Sequence, residues 1–86
     1  MTLLAAHTST TPQLHRAAPL RLAGAGPALW RVVDPGGRVI GHLQSVAHAQ
    51  GVRYRARRFH AASRTFRDLG DFWSADDAVD CLRFAR

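Results

Sequence analysis

Three arginines alternate along RYRARRF (53–59). In an extended strand, successive side chains leave opposite faces of the sheet. Arg53, Arg55 and Arg57 then share one face, with Phe59 at its end. Tyr54, Ala56 and Arg58 take the other. The strand rise spaces the three cations by about 6–7 Å, the scale of a phosphate backbone. The same row suits base edges in a major groove, which admits β-strands. Arg31, Arg38, Arg64 or Arg67 join the row according to strand register. Trp30 and Phe59 are assigned to the core before that face. A row of this kind recognises a polyanion, and its bland counterpart is an exposed sheet face kept soluble by charge.

No catalytic constellation accompanies it. GAG (24–26) precedes no Gly-Lys and follows no strand, so it cradles no phosphate. His7, His15, His42, His48 and His60 show no paired ligand spacing, alone or with Cys81, so no metal is expected. Cys81 falls on the apolar arc of a helix, where an inert buried thiol is expected. Asp76, Asp77 and Asp80 read as helix-start and solvent-face residues. An acid–base pair needs a pocket, for which so short a chain has little room. The chain is expected to be no enzyme and to carry no cofactor.

The 86 residues allow one domain and carry a formal charge of +6. All twelve cations are arginine, with no lysine, glutamate or asparagine anywhere. GC-rich coding produces the same bias, so the charge and its placement are informative and the choice of arginine is not. The excess lies on the predicted strands and not on the predicted helix, which implies nucleic acid, an acidic protein or a membrane surface as partner. One cysteine excludes an internal disulfide and points to a reducing, cytoplasmic setting. No run is apolar enough to span a bilayer, so no membrane is expected.

The elements that must position the row follow from punctuation and periodicity. Residues 1–27 show no period and are broken by TSTTP, AAPL and GAGP, so they read as a disordered tail. Residues 28–86 read as one domain. LWRVV (29–33), the turn DPGG (34–37) and RVIGHL (38–43) form a hairpin. Gly41 within it signals a bulge or a close backbone approach. QSVAHAQG (44–51) extends the second strand or forms a loop. VRYRARRF (52–59) and RTFRDL (64–69) make a second hairpin, joined by HAAS (60–63). Gly70–Trp73 leads into a helix capped by Ser74, with Asp77 placed to complete a capping box and Trp73 to pack on the first turn. Ala75, Ala78, Val79, Cys81, Leu82 and Ala85 share one arc of that helix. The expected fold class is α+β: a small antiparallel ββββα sheet with one C-terminal amphipathic helix on one face. That assignment puts Tyr54 and Ala56 under the helix and the odd-numbered arginines in solvent.

YRAR (54–57) and LGDFWSADDAVDCL (69–82) resemble the AP2-type and phage-integrase arm-type DNA-binding domains, which place a three-stranded sheet in the major groove and brace it with a helix. The resemblance covers about a third of the chain. It implies that Arg53, Arg55 and Arg57 face DNA, joined by Arg64 or Arg67. The full candidate set is Arg53, Arg55, Arg57, Arg38, Arg64 and Arg67. Two readings stand together. One is a non-enzymatic module that binds nucleic acid, duplex DNA before RNA. The other is a protein-interaction or adaptor domain, homodimeric through a sheet edge or face, whose arginines serve solubility.

Overall fold

The computed structural model describes residues 10–16 and 19–84. Five strands form one antiparallel sheet in chain order: β1 (Arg21–Gly26), β2 (Leu29–Val33), β3 (Val39–His48), β4 (Gly51–His60) and β5 (Thr65–Phe72). One helix, α1 (Ala75–Phe84), follows and packs across β3, β4 and β5. The α+β class and the C-terminal helix are as expected.

The strand count is five rather than four, because residues 21–26, read as tail, form edge strand β1. It pairs from Arg21↔Val33 to Gly26↔Leu29. The sequence RLAGAG carries only two residues with a large apolar or cationic side chain, so no alternation betrayed it. An edge strand needs little burial, and here Leu22 alone turns to the core. The rest of the tail reading also changes within the described residues. Leu14 packs against the core and Trp30 Nε1 donates to Thr11 Oγ1 at 3.2 Å. Residues 1–9 and 17–18 of the tail expected over 1–27, and Ala85 on the helix arc, lie outside the described residues. Gln44–His48 continues β3, and β5 runs three residues past Leu69.

Local chemistry sets the connections. Asp34 Oδ1 accepts from the backbone N–H of Gly36 (3.0 Å) and Arg38 (2.8 Å), and Gly37 adopts φ 87°, so DPGG closes the β2–β3 hairpin as its composition requires. Ser74 caps α1: its Oγ accepts from Asp77 N–H at 3.1 Å.

The core lies between α1 and the sheet. Trp30, Val32, Leu43 and Ala56 meet Ala75, Ala78, Val79 and Leu82, all buried. The register Trp30↔Leu43↔Ala56↔Gly70 places one residue from each of four strands on that face. Gly41 lies directly under Leu82: a Cβ there would come within 2.9 Å of Leu82 Cδ1 and closer still to Cδ2.

Asp76 departs from its expected solvent position. It is 6 % exposed, and its carboxylate accepts the backbone N–H groups of His15 (2.9 and 3.1 Å) and Arg16 (2.9 Å). Beside it, Arg16 bonds Asp77 at 2.6 Å and Asp80 at 3.0 Å. The first turn of the helix thus holds a segment some sixty residues earlier in the chain. The carboxylate of Asp77, expected to reach back to the cap, accepts from Arg16 and also meets the Ser74 side chain, and both hold its pKa below the usual carboxylate range.

Candidate nucleic-acid interface

Ala56 and Tyr54 of β4 face the core, so strand alternation sends Arg53, Arg55 and Arg57 to the face opposite α1. Cross-strand register arranges that face as rows. One runs Arg31↔His42↔Arg57↔Asp68 and the next Gln44↔Arg55↔Asp71. The two aspartates are three apart in sequence and would take opposite faces of a regular strand. They share one because β5 bulges there: Ala56 pairs with Gly70, but Arg57 pairs with Asp68, leaving Leu69 as the extra residue. Leu69 turns to the core. The glycine in DLGD was the legible sign of that bulge.

Each guanidinium in the row is held. Arg55 donates from Nε (2.8 Å) and Nη2 (3.1 Å) to the two oxygens of Asp71, a fork-on-fork pair that leaves Nη1 without a hydrogen bond among the described residues. Arg57 donates from Nε to Asp68 (2.7 Å) and from Nη1 to Gln44 (3.0 Å), and lies 4.6 Å from the centre of the Phe66 ring. Arg53 donates from Nη2 to the Asp71 carbonyl (2.7 Å) and covers Trp73 at 4.7 Å. The hydrogen bond from Arg55 holds the Asp71 carboxyl below the usual carboxylate range, and the same bond raises Arg55 further, so the pair stays charged. In this half-exposed setting such pairs add little stability, about 0–1 kcal/mol each. Their effect is to fix the planes of the guanidiniums.

His42 sits between Arg31 and Arg57 with its ring edge-on to Phe66 at 4.9 Å. Burial, then the charges of Arg31 and Arg57, push its pKa below 6.5. Its Nδ1 is buried without a hydrogen-bond partner.

The other candidates divide. Arg31 joins the open face and donates to the Gly24 carbonyl at 3.2 Å. Arg38 and Arg64 lie in the β2–β3 and β4–β5 turns, at one end of the sheet, both exposed. Arg67 pairs in register with Arg58, on the side of the sheet that carries α1, so it does not join the row. Two aromatics expected elsewhere stand on this face. Trp73, 53 % exposed, lies under Arg53 and against His48 rather than on the first turn of α1. Phe59, 47 % exposed, packs on Phe66 rather than in the core. Trp30 is buried as expected. The contributions of Gln44 and Phe66 were not anticipated, since only register brings them to the arginines.

Among the described residues no group of three or more His, Cys, Asp or Glu is placed to hold a metal ion, and no helix is long and apolar enough to cross a membrane. No protein-family model, curated protein or solved structure matches the chain.

Proposed function

We propose that this chain is a non-enzymatic nucleic-acid-binding module that presents its open sheet face to duplex DNA. The single supporting observation is the row Arg53, Arg55 and Arg57 standing together opposite α1, each guanidinium fixed by a carboxylate or carbonyl partner. A buttressed guanidinium is half-neutralised but aimed, which favours acceptors on base edges over diffuse phosphate contact. Arg55 Nη1 and Arg57 Nη2 are the groups left for that role. Arg38 and Arg64, at the hairpin tips and without ion pairs among the described residues, serve to bind phosphates. The groove-docked sheet implied by the resemblance of residues 54–82 to AP2-type and integrase arm-type domains is part of this proposal.

Fluorescence anisotropy with a labelled duplex over a range of salt tests it. Replacing Arg55 and Arg57 by Ala is expected to weaken binding about tenfold or more, with each good base contact worth about 1–3 kcal/mol. Replacing Arg38 and Arg64 should instead flatten the salt dependence, by about 0.9 in log–log slope for each phosphate no longer neutralised. Unchanged affinity and slope in both variants would rule out the proposal.

One observation favours the second reading, a protein-interaction surface. Phe59, Phe66 and Trp73 interleave with the arginines, and aromatic residues with arginine are what protein interfaces concentrate. Sedimentation at rising concentration separates the two, since a homodimer through this face would appear without DNA and vanish in Trp73→Ala.

A further inference from the structure

The β3–β4 ladder begins at His42↔Arg57 and runs towards His48↔Gly51. On the other side of His42, β3 reaches back to Val39 along β2, while β4 continues to His60 along β5. The two hairpins therefore part like a fork. Between them lies a cleft of about 360 Å³, lined by Arg31, Val39, Ile40, His42, Arg58 and Phe59. That volume falls in the range of small-ligand sites, about 300–1,000 Å³.

The lining has a definite chemistry. Among the described residues no carboxylate borders the cleft. Arg31 and Arg58 have no ion-pair partner among the described residues, unlike Arg55 and Arg57; they donate only to the carbonyls of Gly24 (3.2 Å) and Leu82 (2.8 Å). Arg31 stands on the open face and Arg58 on the side of α1, so the cleft has a cation on each side. The wall between them is apolar, and both Val39 and Phe59 are half-exposed. His42 adds a ring with one nitrogen unpaired. A bare anion would use the two arginines and leave the apolar wall empty. A ligand joining a flat ring to a phosphate uses both.

We propose that the fork between the two hairpins takes one unpaired nucleotide, its base against Phe59 and the Val39–Ile40 wall and its phosphate between Arg31 and Arg58. This rests on the nucleic-acid reading of the adjoining face and extends it: the preferred substrate is a duplex with an unpaired nucleotide, not a blunt one. Stacking a base on an aromatic is worth about 5- to 150-fold in affinity.

The test compares a blunt duplex with the same duplex carrying one unpaired 3′ nucleotide, using the full chain. The overhang is expected to bind at least about fivefold tighter. Phe59→Ala should abolish that advantage, read as the ratio of the two affinities, and a ratio left unchanged by this substitution overturns the inference. Equal binding of both duplexes overturns the inference and leaves the reading of the open face untouched. If neither duplex binds, the open-face reading fails, and titration with a nucleoside monophosphate followed by amide shifts decides the fork. Shifts confined to Gly41, His42 and Phe59, and reduced in Arg31→Ala, support it. Absence of shifts, identical shifts with inorganic phosphate, or displacement of the monophosphate by an equal concentration of an oligo-aspartate peptide overturns it.

Discussion

His42 and Asp76 are the two residues whose surroundings most change what they do. Burial, then the charges of Arg31 and Arg57, disfavour the protonated form of His42, so its folded pKa lies below the ordinary 6.5. The folded state then binds fewer protons than the unfolded state in the window from that lowered value up to about 6.5. Stability should therefore rise with pH across this window. Thermal unfolding from acid to neutral pH checks the sign, and His42→Phe, which keeps a ring against Phe66, should flatten the curve. Asp76 works in the opposite charge sense. Burial by itself would raise its pKa, but the N–H groups of Arg16 and His15, with the nearby positive charge, outweigh it and hold the group below 3.8. Its contribution is complete above the unfolded pKa and is lost as pH falls through the folded one. At neutral pH, Asp76→Asn is expected to cost about 1–3 kcal/mol, by weakening bonds to a charged acceptor. Urea unfolding measures the loss, and hydrogen exchange at the His15 and Arg16 amides should accelerate with it.

At the scale of elements, the contact between α1 and the sheet depends on a missing side chain. Leu82 fills the space above Gly41, and a methyl group there would overlap it. Gly41→Ala should therefore destabilise the fold by about 1–3 kcal/mol through overpacking. Leu82→Ala alone costs about 2–5 kcal/mol through a cavity. Combined, the two should cost less than their sum, because each removes part of the other's misfit; a double-mutant cycle in urea reads the coupling. The sequence signal for this contact was legible, since a lone glycine in a strand marks a bulge or a close approach. The bulge at Leu69 carried the same kind of mark. What it would do with the aspartates on either side was not legible, because that depends on which residue of β4 each one meets. Edge strand β1 was hidden for a different reason: glycine and alanine give no alternation to detect, and its extended form is imposed by pairing with β2.

Across the whole molecule the charge is divided between layers. Nine arginines and three aspartates lie on the strands and their connections, so the sheet carries the entire +6. Outside it, Arg16, Arg83 and Arg86 balance Asp76, Asp77 and Asp80 in number, and Arg16 pairs directly with two of those aspartates on α1. The net positive charge is therefore concentrated on the sheet and not on the helix. Elementary local physics accounts for much of this architecture before any fold is known. Alternation puts Arg53, Arg55 and Arg57 on one face, DPGG closes a hairpin, and Ser74 starts a helix whose apolar arc must find a sheet. Each of these depends on neighbours within a few residues. The capture of those arginines by Asp68 and Asp71, the burial of Asp76 against the backbone of His15 and Arg16, and the parting of the two hairpins at His42 are of another kind. They are set by register and by contacts between distant parts of the chain, where a shift of one residue exchanges the faces of a strand.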